Sequence, residues 1–461
     1  MTLIKSISGI RGTIGGRVNE GLTPIDTVKF AAAYGTWLKK QFPNQKIKVV
    51  LGRDARISGE MIGALVRNTL IGLSIDIIDL GLSTTPTVEI AVPMEKAHGG
   101  IILTASHNPK QWNALKLLNA KGEFISGSDG EQLVQIAEKE DFDFSGVDEL
   151  GIVTNDSSYQ EKHIEAILNL PLVDRESIKE ANFKIVFDAV NSTGGIFVPA
   201  LLQALGIEQI IELNCEPNGQ FAHNPEPLPE HLTELSSLVI KNGAHLGITV
   251  DPDVDRLALV CEDGSMFGEE YTLVAVADYV INNTPGPTVS NLSSTRALRD
   301  ITEARLLPYA AAAVGEVNVV AKMKEVGAVI GGEGNGGIIY PDLHYGRDSL
   351  VGIALFLSYL AKQKKSMTLL RSSFPNYFIS KNKIDLAPGT DVDAILNALV
   401  KKYESHEVDT TDGVKIYIDK EWVHLRKSNT EPIIRIYAES KDQISATNLA
   451  QRIISEIQAF S

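Results

Sequence analysis

The stretch KAHGGIILTASHN, residues 96–108, has an arrangement that recurs twice later in the chain. In NGAHLGITVDPD (242–253) and KEVGAVIGGEGN (324–335), the end of a predicted helix likewise leads through glycine and a short apolar strand into a small polar loop. Loops that follow the strands of open α/β sheets commonly bind ligands, because helix N-termini and backbone N–H groups converge there. The repetition predicts three related α/β units whose loops face one cleft.

Short β-branched runs alternate with amphipathic stretches through most of the chain. KIKVVLG (46–52), KIVFDA (184–189) and RLALVC (256–261) are predicted strands. TPIDTVKFAAAYGTWLKKQ (23–41) is a predicted helix that opens with a Thr cap followed by Pro. This alternation is typical of α/β architecture with mixed or parallel sheets. Residues 369–461 instead follow the order helix, hairpin, strand and helix, which indicates a small α+β domain.

A chain of 461 residues is long enough for three or four domains. We expect three similar α/β domains with mixed sheets, followed by the smaller C-terminal α+β domain. Polar stretches, among them EDFDFSGVDELGIVTNDSS (140–158) and AKQKKSMT (361–368), indicate where the domains meet. The predicted domains are 1–150, 151–257, 258–367 and 368–461.

The charge and cysteine content exclude several classes of protein. With 58 acidic and 43 basic residues, the formal charge is −15, which opposes nucleic acid and anionic membranes as partners. Cys215 and Cys261 form no CxxC pair, so neither a disulfide framework nor a cysteine zinc site is expected. The start MTLIKSISGIRG lacks a signal-peptide core, and no apolar run reaches the length of a membrane helix. We therefore expect a cytoplasmic protein.

The segment DPDVDR (251–256) places aspartates at alternating positions: Asp251, Asp253 and Asp255. Three carboxylates form a hard oxygen cage suited to Mg²⁺. An EF-hand is excluded, because Arg256 stands where that loop requires Gly and both flanks are predicted strands. The alternative is an acidic turn between two strands.

GGEGNGG (331–337) contains a GxGxxG match after a predicted strand, which is typical of dinucleotide binding. However, Pro341 follows where the phosphate-facing helix should run. The glycines more readily allow a ligand to approach the backbone while Glu333 and Asn335 present hydrogen-bonding groups. A simple glycine-rich turn is the alternative.

RKSNTEPIIR (426–435) combines guanidinium groups, hydroxyls and turn N–H groups, which together suit a phosphate. The alternative is a turn ended by Pro, with solvated arginines. The candidate phosphate-binding residues are Arg426, Ser428, Asn429, Thr430 and Arg435.

Ser106 lies in a turn held by the following Asn-Pro, so that its hydroxyl is kept out of a helix. A Ser-His-Asp hydrolase is one interpretation, but His107 directly follows the serine and no G-x-S-x-G elbow surrounds it. A capping turn with a buried histidine is the other. Lys116 keeps a cation within ten residues of the hydroxyl.

Taken in order, these motifs resemble the α-D-phosphohexomutases. The resemblance rests on TASHNP, DPDVDR, GGEGNGG and RKSNTEPIIRIYAE, together with SGIRG (8–12) and GRDARISG (52–59), and it covers essentially the whole chain. It implies four domains around a central active-site cleft, with a phosphoserine loop, a metal-binding loop, a sugar-binding loop and a phosphate-binding loop in successive domains. The expected substrate is a small sugar phosphate, handled by a monomer or a homodimer.

The resemblance also assigns roles to residues. It implies that Ser106 is a phosphoserine and that Mg²⁺ is bound by Ser106 and the three aspartates of DPDVDR. It implies that Lys116 is a general acid/base. We expect surrounding cations to lower the pKa of Lys116, which would suit that role. Arg11 and His107 complete the expected catalytic group, and Arg256 joins the expected substrate-binding residues. A hexose 1,6-bisphosphate is the expected intermediate and activator.

The sugar loop departs from the pattern of many members. Asn335 replaces a serine and Gly337 replaces a histidine, so we expect His344 or Arg347 to take over part of the hydroxyl recognition. Val254 stands where many members have glycine. The loop favours glucosamine phosphate as substrate, with mannose or glucose phosphate as the alternative. A non-catalytic sugar-phosphate sensor or a dinucleotide-binding protein is the remote alternative.

Overall fold

The computed structural model describes residues 2–6, 9–386, 390–427 and 433–460. The chain divides into two compact units. The first unit comprises Met1–Thr272 and Gly336–Leu370, and the second comprises Leu273–Asn335 and Arg371–Ser461.

The first sheet has seven strands in the order β1-β2-β6-β5-β3-β4-β7. The strands are β1 (Ile4–Ser6), β2 (Gly9–Thr13), β3 (Lys48–Arg53), β4 (Asp76–Leu82), β5 (Gly99–Leu103), β6 (Trp112–Leu118) and β7 (Val153–Asn155). The helices are α1 (Pro24–Gln41), α2 (Gly59–Gly72), α3 (Thr85–Met94) and α4 (Gly127–Lys139). Strand β3 runs parallel to β4 and β5, whereas β6 is antiparallel to β5.

The predicted start of α1 is confirmed. The Thr23 side chain accepts a hydrogen bond from the Asp26 backbone N–H, and Asp26 in turn bonds the Thr23 N–H, which is a capping box. Pro24 occupies the first helical turn, where its missing N–H leaves no hydrogen bond unmade.

The second sheet has four strands in the order β11-β10-β8-β9. Its strands are β8 (Lys184–Asp188), β9 (Gln209–Leu213), β10 (Leu246–Val250) and β11 (Leu257–Cys261). The helices are α5 (Tyr159–Leu168), α6 (Arg175–Ala181), α7 (Gly194–Ala204) and α8 (Thr233–Asn242). Strand β8 is parallel to β9 and β10, and β11 returns antiparallel to β10.

The third sheet begins after α9 (Glu269–Asn283). Strand β12 (Thr288–Asn291) pairs in parallel with β13 (Tyr309–Ala312) and β14 (Ile330–Glu333). Helices α10 (Ala297–Glu303) and α11 (Glu316–Val326) connect these strands. The chain continues through β15 (Gly337–Ile339), α12 (Ser349–Gln363) and α13 (Met367–Ser372).

Each of the three sheets contains a corresponding trio of parallel strands, in agreement with the three related α/β units predicted from the repeated sequence pattern. The order of strands in the trio is β4-β3-β5 in the first sheet, β9-β8-β10 in the second and β13-β12-β14 in the third. The recurring polar loops follow β5, β10 and β14, the last strand of each trio. All five residues of β5 and of β10 are buried, as expected for strands covered on both faces.

The C-terminal part forms a five-stranded antiparallel sheet in the order β16-β20-β19-β18-β17. Its strands are β16 (Phe378–Asp385), β17 (Glu407–Asp409), β18 (Val414–Ile418), β19 (Glu421–Lys427) and β20 (Ile433–Ser440). Helices α14 (Val392–Lys402) and α15 (Gln443–Phe460) contribute to its apolar core, which includes Ile395, Ile436 and Ile453. This is the predicted α+β architecture.

Within the residues that the structure describes, no helix combines the length and the hydropathy needed to cross a bilayer.

Candidate active site

Ser106 lies in the loop that joins β5 to β6. Its backbone adopts φ +47°, in the left-handed region that residues other than glycine seldom occupy. The Ser106 Oγ donates a hydrogen bond of 2.7 Å to Asp251 Oδ2, across 145 positions of sequence. The loops after β5 and β10 therefore meet at the Ser106 hydroxyl.

The loop after β10 carries Asp251, Asp253 and Asp255, all fully buried. One carboxylate oxygen from each lies within 4.8 Å of the others. Within the described part of the chain, the Oδ1 atoms of Asp253 and Asp255 have no hydrogen-bond partner. Burial, together with the carboxylates of Asp255 and Asp253, raises the pKa of Asp251 well above its usual range. Buried oxygens with unused lone pairs and mutual repulsion fit a divalent cation.

Two cations reach the aspartates from other parts of the first unit. Lys116, in β6, places its Nζ 2.6 Å from Asp253 Oδ2 and 3.2 Å from Asp255 Oδ2. Arg347, which precedes α12, donates from Nη2 to Asp255 Oδ2 at 2.8 Å. Burial would raise the pKa of Asp255, but the charges of Arg347 and Lys116 hold it below its usual range.

The pKa of Lys116 differs from the sequence-based expectation. Burial by itself would lower it, but the carboxylates of Asp253 and Asp255 outweigh burial and raise the pKa above its ordinary value. The expectation of a lowered pKa is therefore wrong, because the nearest charges are carboxylates rather than cations. Lys116 is held as an ammonium group.

The other predicted catalytic residues lie beside the serine. His107 Nδ1 is 3.3 Å from Ser106 Oγ, and burial with the Arg256 charge lowers the pKa of His107 to about 2, so its imidazole is neutral. Arg11 donates from Nη1 to Asn108 Oδ1 at 3.2 Å. Arg256, which was predicted to bind substrate, places its Nε 4.0 Å from Asp255 Oδ1.

The two residues expected to replace the missing sugar-loop side chains occupy different surroundings. Arg347 contacts the aspartate loop, a role that sequence reasoning missed because nothing local to Arg347 points to Asp255. His344 is half-buried between two buried carboxylates, with Nε2 3.3 Å from Asp348 Oδ2 and Nδ1 3.5 Å from Glu89 Oε2. Asp348 is also 2.9 Å from His163 Nε2.

Glu333 and Asn335 lie in the second unit, at the end of β14. Glu333 is buried, and its Oε1 accepts hydrogen bonds from Asn291 Nδ2 at 2.8 Å and from the Gly315 N–H at 3.0 Å. Asn335 is partly exposed. The glycines are followed by strand β15 rather than by a helix, which argues against the dinucleotide fingerprint.

The predicted phosphate-binding arginines lie on the C-terminal sheet. Arg426 on β19 is the register partner of Arg435 on β20. The Arg426 Nε is 2.8 Å from Asp412 Oδ2, whereas Arg435 is exposed. Ser428, Asn429 and Thr430 lie outside the described residues.

Chemically, the first unit brings together a hydroxyl, three carboxylates suited to a divalent cation, and an ammonium group. Such a set suits phosphoryl transfer, in which charge neutralisation and positioning supply most of the catalysis.

Comparison with known families covers nearly the whole chain. The models described as phosphoglucomutase/phosphomannomutase, alpha/beta/alpha domains I, II and III, match residues 4–144, 161–264 and 268–377. The model of the C-terminal domain of the same family matches residues 382–456.

Relatives at 30% identity or more agree with the family match. A phosphoglucomutase/phosphomannomutase of Thermococcus kodakarensis is 34% identical, over 94% of this chain and 95% of the relative. A probable phosphoglucosamine mutase of Methanopyrus kandleri is 30% identical, over 98% and 97%. A phosphoglucosamine/phosphogalactosamine mutase of Sulfurisphaera tokodaii is 31% identical, over 96% and 97%.

Among solved structures, a phosphoglucomutase/phosphomannomutase family protein of Burkholderia thailandensis superposes with a TM-score of 0.85 at 24% identity, covering 99% of this chain and 97% of that one. A putative phosphomannomutase of Thermus thermophilus gives a TM-score of 0.83 at 24% identity, with 99% of both chains covered. This chain therefore belongs to the phosphoglucomutase/phosphomannomutase family, whose members are mutases of the isomerase class.

Proposed function

We propose that this protein interconverts hexose 6-phosphates and hexose 1-phosphates through a phosphoserine at Ser106 and a hexose 1,6-bisphosphate. One observation carries the proposal: the Ser106 hydroxyl lies 2.7 Å from Asp251, in a loop whose other two aspartates bind the Lys116 ammonium group. A hydrolase would instead need a general base that can accept the serine proton. Here the adjacent His107 has a pKa lowered to about 2, which makes it a poor base.

The same residues are proposed to form a metal site. Asp251, Asp253, Asp255 and an oxygen carried on Ser106 would hold Mg²⁺. The unused Oδ1 atoms of Asp253 and Asp255 support this assignment. When bound, the ion supplies positive charge that offsets the charge of the phosphoryl group and the carboxylates.

The proposed reaction uses Ser106 twice. In the first step the bond between Ser106 Oγ and phosphorus breaks, and the phosphoryl group moves to the free hydroxyl of the bound sugar monophosphate. After the bisphosphate turns over in the site, its other phosphoryl group returns to Ser106 Oγ. Lys116, held as an ammonium group, gives a proton to Ser106 Oγ as its bond to phosphorus breaks, and the proton released by the attacking sugar hydroxyl restores the Lys116 ammonium group. Arg11 and Arg256 add positive charge beside the serine loop.

Glu333 and Asn335 are proposed to bind the sugar hydroxyl or amino groups, and the C-terminal arginines to bind the non-reacting phosphate. Ser428, Asn429 and Thr430 are included in the phosphate site on the sequence alone. A phosphate site that contacts only phosphate oxygens accepts either end of a bisphosphate, as the turnover requires.

Glucosamine phosphate is the proposed substrate. The Methanopyrus kandleri and Sulfurisphaera tokodaii relatives carry phosphoglucosamine mutase in their names. Glucose or mannose phosphate is the second candidate, favoured by the name of the Thermococcus kodakarensis relative. A non-catalytic sugar-phosphate sensor is disfavoured, because Ser106 and all three aspartates are present.

Intact-mass measurement tests the phosphoserine. A fraction of the purified protein should be heavier by about 80 Da, the mass of one phosphoryl group. Ser106→Ala should remove the heavier species and the mutase activity, whereas Ser128→Ala, at an exposed serine of the same domain, should change neither. An active Ser106→Ala variant would contradict the proposal.

Parallel assays on the 1-phosphates of glucosamine, glucose and mannose test the substrate. Asn335→Ser should change the ratio of kcat/KM between glucosamine and glucose phosphates. Glu333→Gln should lower kcat/KM for the preferred substrate, because a site that hydrogen-bonds a substrate group discriminates strongly when the bond is lost. Both variants should keep the phosphoserine. If the ratios among the three substrates stay at wild-type values, Glu333 and Asn335 do not set specificity.

A further inference from the structure

The Arg56 side chain is buried at the base of the serine loop, and 1% of the residue is exposed. Its Nε donates to Asp54 Oδ2 at 3.0 Å. Its Nη1 donates to the carbonyl oxygens of Pro109 and Trp112, at 2.8 and 2.9 Å. Its Nη2 donates to the carbonyl oxygens of Ser106 and Asn108, both at 2.6 Å. A guanidinium group has five N–H donors, and all five are used.

These contacts bind the backbone of the serine loop to a single guanidinium group, that of Arg56. The four carbonyl groups extend from Ser106 to Trp112, the first residue of β6, so they cover most of the connection between β5 and β6. The Phe221 ring lies 5.0 Å from the guanidinium carbon and covers one face of the group. A lysine at this position would have three donors and no planar fork, and would leave carbonyls unbonded.

A second connection runs from Asp54 to the backbone of the serine itself. The fully buried Thr104 donates its hydroxyl proton to Asp54 Oδ2 at 2.7 Å. The same hydroxyl oxygen accepts the Ser106 N–H at 2.9 Å. Ser106 is therefore held at its N–H through Thr104 and at its carbonyl through Arg56, and both lead to the Asp54 carboxylate.

Ser106 needs such support because its φ of +47° is unfavourable for a residue with a Cβ. A conformation of this kind persists where the surrounding contacts determine it. Relaxation of φ towards negative values would move the Oγ away from Asp251 Oδ2, to which it donates.

We propose that Arg56 and Thr104 are positioning residues that hold Ser106 in its left-handed conformation, so that its Oγ stays aligned with the aspartate loop for phosphoryl transfer. The inference rests on the proposed function. Neither side chain is required to contact the sugar, so their loss should lower kcat and leave KM nearly unchanged. Small displacements of reacting atoms lower rates by about a hundredfold.

The test compares Thr104→Val with Thr104→Ser in the full-length protein. Valine keeps the volume but loses the hydroxyl, whereas serine restores it. Thr104→Val should lower kcat by about tenfold to a hundredfold, with KM within about twofold of wild type. Transfer from glucose 1,6-bisphosphate to Ser106, followed by intact mass after rapid quenching, should slow in parallel. Thr104→Ser should recover most of both rates.

Two further variants complete the design. Thr69→Val, which removes the 2.7 Å hydrogen bond from a mostly buried threonine to the Leu65 carbonyl in α2, is the matched control and should keep wild-type kcat. Arg56→Lys should show the same loss of kcat as Thr104→Val, or a larger one. If Arg56→Lys does not fold, the Thr104 pair still decides the question.

The outcomes separate the inference from the proposed function. If wild type is an active phosphoenzyme and Thr104→Val matches it in kcat and in phosphorylation rate, the positioning role is wrong and the mutase function stands. A loss that Thr104→Ser does not recover, or a change confined to KM, also overturns the positioning role. If wild type neither carries the added phosphoryl mass nor converts any of the three sugar phosphates, both proposals fail.

Discussion

Arg426 and Arg435 lie directly opposite each other on the antiparallel strands β19 and β20. Like charges in this position destabilise a sheet, because their side chains lie on the same face at close range. Asp412 offsets the charge of Arg426 at 2.8 Å, while Arg435 is exposed. An arginine pair of this kind suits an anion that contacts both groups.

Arg435→Gln should therefore raise KM for every sugar phosphate without lowering the melting temperature. Loss of a charge-assisted hydrogen bond costs about 1.5 to 3 kcal/mol, which corresponds to a KM increase of roughly tenfold or more. Removal of one like charge should leave the fold as stable or slightly more stable. Steady-state kinetics and thermal unfolding measure the two effects. Lys420→Gln, at an exposed lysine in the turn between β18 and β19, is the control. An unchanged KM for Arg435→Gln would exclude Arg435 from the phosphate site.

Asp251→Asn should change the response of the protein to Mg²⁺. The ion should stabilise wild type, by about 2.7 kcal/mol at a hundredfold excess over Kd, and the variant much less. Without Mg²⁺ the variant should melt at a higher temperature than wild type, because one of three mutually repelling buried carboxylates is gone.

Thermal unfolding with Mg²⁺ or with EDTA gives both quantities for Asp251→Asn. Asp148→Asn, at an exposed aspartate, should behave as wild type. Equal Mg²⁺ responses in wild type and Asp251→Asn would mean that the ion binds elsewhere.

Val254→Gly should cost less stability than the same change at Val250. Both valines are buried, and the loss of a buried valine side chain costs about 1.5 to 3 kcal/mol. Val254, however, adopts φ +64°, a conformation that costs a β-branched residue about 1 to 3 kcal/mol and glycine nothing. Urea unfolding should give a free energy of unfolding about 2 kcal/mol higher for Val254→Gly than for Val250→Gly. Similar values for the two variants would show that the turn is unstrained.

Glu439 should make the stability of the second unit depend on pH. Its fully buried carboxylate accepts hydrogen bonds from Trp422 Nε1 at 2.6 Å and from the Arg296 N–H at 2.9 Å. Burial raises the pKa of Glu439 from 4.5 to about 7. The folded state therefore binds this proton more tightly than the unfolded state, so stability is highest below pH 4.5 for this group and falls as pH rises to about 7.

Through Glu439, the free energy of unfolding should fall by up to about 1.4 kcal/mol per pH unit between pH 4.5 and about 7. Glu439→Gln keeps an oxygen acceptor but does not titrate, so the free energy of unfolding of the variant should lack this decline. Denaturant titrations at several pH values measure the difference between the two proteins. Parallel pH profiles for wild type and Glu439→Gln would contradict the assignment.

The repeated pattern of helix, glycine, apolar strand and polar loop was sufficient to predict three similar α/β domains. The aspartate triad was also predictable, because alternating positions in six residues stay close together whatever the rest of the chain does. Strand periodicity and turn residues are likewise local, and this is why β8, β11 and the cap of α1 were found from the sequence.

Contacts between side chains that lie far apart in sequence could not be predicted, because they depend on the folded structure. The Ser106–Asp251 bond spans 145 positions, and Arg347 reaches Asp255 across 92. The pKa of Lys116 was predicted with the wrong sign, because a pKa depends on the nearest charges in space, and these are Asp253 and Asp255. Local sequence favours a helix, a strand or a turn for each segment, whereas the approach of distant loops depends on how the sheets pack.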